Sequence, residues 1–104
     1  MPGAVVTVQF ISAEAGGRFS PPQLAITYHP HFRVAGGESL GVVFVEGPSE
    51  PVLPGKIVSA KIQFPYAPQV NYDALKVGVE FQILEGSRVV GVGQVTELLQ
   101  RLSQ

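Results

Sequence analysis

The chain has 104 residues, room for one domain built on one core. It is 45% hydrophobic and only 14% charged, against about 25% in an ordinary soluble domain, which excludes intrinsic disorder. Seven Lys and Arg against eight Asp and Glu leave a net charge of -1, without the basic excess of a free-standing nucleic-acid binder, and the absence of cysteine excludes disulfides, zinc-thiolate sites and thiol catalysis. Twelve Gly and nine Pro interrupt the chain every few residues, so long helices are not expected.

Val6, Val8 and Phe10 alternate with Thr7 and Gln9, the period-two pattern of a half-buried strand. Gly16-Gly17 breaks that pattern, and Pro21-Pro22 keeps the chain extended and unpaired. Alternation resumes at Leu24, Ile26 and Tyr28, bends at Pro30, and continues through Phe32 and Val34 to a turn at Gly36-Gly37. The apolar run from Gly41 to Val45 reads as a strand buried on both faces. A proline-rich crossing ends at Pro54-Gly55, which suits the centre of a type II turn. Val58, Ala60, Ile62 and Phe64 then form the cleanest alternating strand, opposed by Ser59, Lys61 and Gln63.

Asn71 to Leu75 is expected to form one helical turn, capped by Asn71 with Asp73 near its start. Val77, Val79, Phe81 and Ile83 predict a further strand, and Glu85-Gly86-Ser87-Arg88 a hairpin turn into a return strand at Val90 and Val92. Gly91 and Gly93 in that strand signal a bend or a close backbone approach. The tail with Leu98, Leu99 and Leu102 either continues the strand or forms a short helix. Six or seven evenly spaced strands, without repeat or linker, predict an all-β fold: a small antiparallel barrel or sandwich.

Chemistry-bearing constellations are few. His29 and His31 stand two apart, a spacing used in metal sites, but no acidic residue in the same segment supplies a third ligand. A small metal-dependent hydrolase built on them is the remote alternative, and neither a metal nor a cofactor is expected. No Gly-x-Ser-x-Gly elbow and no phosphate loop ending in Lys-Ser or Lys-Thr occurs, so no GTP binding by this chain is expected. Glu80 and Glu85 read as solvated carboxylates, and the expectation is no catalytic residue and no enzyme. Phe10, Phe32, Phe64 and Phe81 read as core, whereas Phe19, Tyr66 and Tyr72 lie in Gly- or Pro-rich loops as binding anchors or as lids on the barrel ends. The longest apolar stretches run about five residues against the ~18 to 20 of a membrane span. The run Met1-Pro2-Gly3-Ala4-Val5-Val6 lacks the basic region of a signal peptide, so a cytoplasmic location is the default expectation.

Several segments resemble the C-terminal, third β-barrel of translation elongation factor Tu. Val8-Gln9-Phe10-Ile11-Ser12 followed by Glu14-Ala15-Gly16-Gly17-Arg18 resembles its opening strand and acidic-Gly-Gly-Arg turn. Tyr28-His29-Pro30-His31-Phe32 resembles its Tyr-Arg-Pro-Gln-Phe segment, and Leu53-Pro54-Gly55 its Met-Pro-Gly turn. Gly78 to Val95, with Phe81, Glu85-Gly86-Ser87-Arg88, Val90-Gly91 and Gly93, resembles its closing hairpin. Order and spacing hold from about residue 6 to 97, within a single domain spanning 1–104. The resemblance implies a closed six-stranded antiparallel barrel that is not catalytic and that contacts the T-stem of aminoacyl-tRNA and protein surfaces.

By the same resemblance Arg18 and Glu85 match positions that touch the tRNA, and His31 replaces a glutamine while keeping hydrogen-bonding capacity. His29 replaces the basic residue of Tyr-Arg-Pro, Leu40 replaces a contacting threonine, and Lys56 replaces the usual aspartate after Pro-Gly. The expected RNA- or partner-binding set is therefore Arg18, His31, Glu85, His29 and Arg88, with Arg18, His31 and Glu85 converging at one barrel end. A net charge of -1 favours a protein partner, with tRNA or another RNA as the alternative.

Overall fold

A computed structural model describes residues 2–25 and 28–99. Among the described residues, seven strands form one antiparallel sheet: β1 (Gly3–Phe10), β2 (His31–Arg33), β3 (Leu40–Gly41), β4 (Val43–Glu46), β5 (Ile57–Gln63), β6 (Glu80–Glu85) and β7 (Arg88–Leu99). Their order across the sheet is β3-β2-β6-β7-β1-β5-β4, and the sheet curls into a half-barrel. The all-β expectation therefore holds. A single cluster fills the concave side, joining Val6, Val8 and Phe10 to Ala60, Ile62, Phe64, Phe81 and Ile83. Phe32 stacks on Phe81 with ring centroids 3.9 Å apart and meets Phe44 edge-on at 5.8 Å.

The strand count exceeds six because Val42 separates β3 from β4 along the chain, opposite Pro30, which has no N–H to return a ladder bond. Val42 N–H turns to the Pro30 carbonyl, while Phe44 N–H reaches the Tyr28 carbonyl and Tyr28 bridges Phe44 antiparallel. The run from Gly41 to Val45 is not buried on both faces as its composition suggested. Val42 and Phe44 are buried, while Gly41, Val43 and Val45 are half-exposed, so it alternates like its neighbours. The expected strand at Leu24, Ile26 and Tyr28 reduces to a turn around Leu24 and the Tyr28 bridge; Ile26 lies outside the described residues, as does Leu102.

Two expected boundaries also shift. Asn71 to Leu75 forms a turn instead of a helix: Asn71 Oδ1 accepts from Asp73 N–H at 2.7 Å, and Leu75 N–H bonds the Tyr72 carbonyl. The regular strand β6 begins at Glu80, not Val77, since Gly78 takes a left-handed φ of 89° and turns the chain there, although Gly78 and Val79 already bond Val95 of β7. The Pro54-Gly55 turn forms as expected, with φ of 82° at Gly55 and Lys56 N–H on the Leu53 carbonyl. Leu98 and Leu99 continue β7 and do not form a helix.

The glycines of β7 set the curvature. A Cβ at Gly93 would fall 2.5 Å from the Phe81 ring and 2.5 Å from the Thr7 carbonyl oxygen. Their absence of side chain lets Phe81 lie flat against the backbone where β6, β7 and β1 wrap around the core. Among the described residues no helix is long and apolar enough to cross a membrane.

Candidate partner-binding site

The C-terminal ends of β1 and β6 and the start of β7 meet at one end of the half-barrel, where Glu85 pairs with Arg88 across the hairpin and Phe10 pairs with Gly91. The chain leaving β1 there folds into a tight 3-10 turn, Ala13–Ala15. Ser12 caps it, accepting from Ala15 N–H through both its hydroxyl and its carbonyl, and its carbonyl also receives Gly17 N–H at 2.8 Å. A Cβ at Gly17 would stand 1.9 Å from the Ile11 carbonyl oxygen, so the turn closes only because that residue is glycine. The turn delivers Arg18 to the end of the sheet.

There Arg18 meets Glu85 and Tyr28. Arg18 Nη1 donates to Glu85 Oε2, and the Tyr28 hydroxyl donates to the same oxygen at 2.6 Å. The guanidinium carbon stands 5.2 Å from the Tyr28 ring centroid, a cation–π contact, and Arg18 Nε donates to the Ser20 carbonyl at 2.9 Å. Arg18 and Glu85 side chains are 26% and 30% exposed, so the pair is partly shielded from water. Burial opposes the charge on Arg18, but the Glu85 hydrogen bond and carboxylate outweigh it and raise its pKa. Tyr28 is pushed well above the ordinary phenol range, first by burial and then by its bond to Glu85. Such a tyrosine stays a neutral donor; the cluster is a latch, with no activated nucleophile.

The latch holds out Phe19. Between the capped turn on one side and the Arg18–Ser20 bond on the other, its side chain is 90% exposed, the most exposed of the large apolar residues among those described. Leu53 and Ile57, on the loop and strand start adjoining the end of β1, are also exposed, at the same end of the sheet. The loop that bears Phe19 is tied to its neighbour by Val52 N–H on the Pro22 carbonyl and by Gln23 Nε2 on the Ser49 carbonyl.

The residues singled out from sequence divide between two faces. Arg18, Glu85 and Arg88 come together, with Arg88 paired to Glu85 and its Nη1 3.5 Å from the Gly17 carbonyl oxygen. His29 is exposed and follows Tyr28 directly. His31 pairs with Leu84 and shares its face, whereas Glu85, one residue on, turns to the core-facing side where Ile83 and Phe32 pack. His31 instead stands beside Gly41 and Tyr66, away from the latch. Among the loop aromatics, Tyr66 is exposed but Tyr72 is buried, stacked on Phe64 at 4.5 Å with its hydroxyl on the Gly41 carbonyl at 2.6 Å, and is no anchor.

Sequence reasoning missed Tyr28 as the second ligand of Glu85. An alternating tyrosine reads as a core residue, and only its phenol hinted that it needed a polar partner. A cleft of about 920 Å³ lies elsewhere, across the outer face of the sheet, where Arg33 Nε and Nη2 both donate to Gln82 Oε1. Among the described residues no group of three His, Asp or Glu side chains could hold a metal ion, and His29 and His31 have no third ligand beside them. No family model matches the chain.

Proposed function

We propose that this protein is a non-catalytic binding module that presents Phe19 to a protein partner. The observation that carries the reading is an aromatic side chain, 90% exposed, in a loop pinned on both flanks. A large apolar group held rigidly in water loses little conformational entropy on docking and gains its full burial there. Arg18 supports a protein over an RNA partner, because its guanidinium is already bonded to Glu85 and Ser20. A phosphate contact would have to break those bonds first. With a net charge of -1, the chain also gains little from counterion release.

We infer that the sheet closes into a six-stranded barrel like the third barrel of elongation factor Tu, with β3 and β4 acting as one bent strand. Supporting this, Val42 and Phe44 bond back to Pro30 and Tyr28, the segment leading into β2. Cysteine-free composition supports a cytoplasmic setting. The RNA reading has one observation in its favour, the gathering of Arg18, Glu85 and Arg88 at one end. A tRNA titration separates the two. We expect no saturable binding at about 0.15 M salt, and any low-salt binding to vanish steeply as salt is added. Tight binding at that salt, weakened by Arg18→Ala, would replace the protein reading with the RNA one.

A further inference from the structure

We propose that Ser20 is a phosphorylation site, and that its phosphate draws Arg18 away from Glu85 and so unlatches the Phe19 loop. The inference rests on the reading of Phe19 as the contact residue and assigns a regulation to that same site. Ser20 is exposed, at a bend of the chain just before Pro21, where a modifying enzyme can reach its hydroxyl. It is also the serine, among the described residues, whose carbonyl an arginine holds, so a phosphate on its Oγ arises within reach of a guanidinium already in place.

The transfer itself is a kinase's. Ser20 Oγ attacks the γ-phosphorus of a nucleoside triphosphate, the bond from that phosphorus to the bridging oxygen breaks, the diphosphate leaves, and the hydroxyl proton passes to a base on the kinase. The product carries a charge near -2 at neutral pH and three acceptor oxygens, against one charge on Glu85. Planar Arg18 can meet two of those oxygens at once, with Arg88 nearby at the Gly17 carbonyl as a further cation. The phosphate also repels Glu85, the present partner of Arg18. Losing Arg18 leaves Tyr28 alone on Glu85 and detaches the Phe19 loop from β6, while the Ser12 cap and the link between Arg18 and residue 20 persist.

Two measurements on the full chain test this. The first follows the ³¹P signal of the protein carrying phosphoserine at position 20, inserted during translation, as a function of pH. The phosphate's second pKa should lie roughly 0.5 to 1 pH unit below the ordinary value of about 6, and should return toward it in Arg18→Gln. Glu85→Gln, which keeps the side chain's size and removes the competing charge, should lower it further, so the test survives a poorly folded Arg18 variant. The second incubates unmodified protein with ATP and an extract of its own cells, and mass spectrometry should find phosphate on Ser20. Equal ³¹P titrations with and without Arg18, or no phosphate at Ser20, overturn the proposal. Neither readout involves the partner, so their failure is separable from failure of the binding reading.

Discussion

Glu85 accepts two hydrogen bonds on a single oxygen, one from a cation and one from a phenol that burial has made harder to ionise. Removing the acceptor strands both donors in a partly shielded place. Glu85→Ala should therefore cost about 1 to 3 kcal/mol in urea unfolding, the range for leaving a shielded donor without its acceptor. A loss below about 0.5 kcal/mol would mean that water replaces the carboxylate at no cost. The pH dependence follows from Tyr28, whose pKa is higher folded than unfolded. Its contribution is complete below the unfolded value of about 10 and is lost as pH rises beyond that toward the folded value. The urea midpoint should hold up to about pH 10 and then fall, and Tyr28→Phe should flatten part of that fall. The resemblance pointed to Arg18 and Glu85, whereas the residue pattern read Glu85 as a solvated carboxylate; neither indicated that the two bond each other, because their contact depends on how β1 and β6 end together.

The elements were legible where alternation is regular and obscure where glycine or proline resets it. β1, β5 and β6 follow the period-two pattern, β7 departs from it at two register shifts, and the hairpin turn falls on Gly86 and Ser87 as expected, with φ of 63° at Gly86. Gly78 delayed β6, and one expected strand split at Val42 because Pro30, opposite it in register, has no N–H to donate back. Gly93 shows the reverse case, in which a residue that weakens strand propensity makes the curvature. Gly93→Ala places a methyl against both the Phe81 ring and the Thr7 carbonyl oxygen and should cost about 1 to 3 kcal/mol, typical of overpacking. Adding Phe81→Leu should relieve the ring contact but not the backbone one, so the double variant should be less destabilised than the sum. Strict additivity of the two would show that β7 does not pack there as described.

At the scale of the molecule, most of the apolar exposure divides between two ends, with Val92 exposed on the outer face of the sheet. Phe19, Leu53 and Ile57 lie toward the end where β1 finishes, and Tyr66, Val77 and Leu98 toward the opposite one. Composition indicated a β domain with little surface charge, and the buried cluster follows from that. What composition could not supply is which loop aromatics remain in water: Tyr72 is buried because it stacks on Phe64 and bonds the Gly41 carbonyl, and Phe19 is not. The central claim is that Phe19 is the protein-docking residue. It is tested most directly by placing a photo-crosslinking aromatic amino acid at position 19 in the full chain, and in parallel at position 77, and irradiating living cells. The account predicts a discrete adduct at position 19 that protease removes and nuclease does not, and none of the same size at position 77. No adduct at position 19, or one that nuclease destroys, would contradict it.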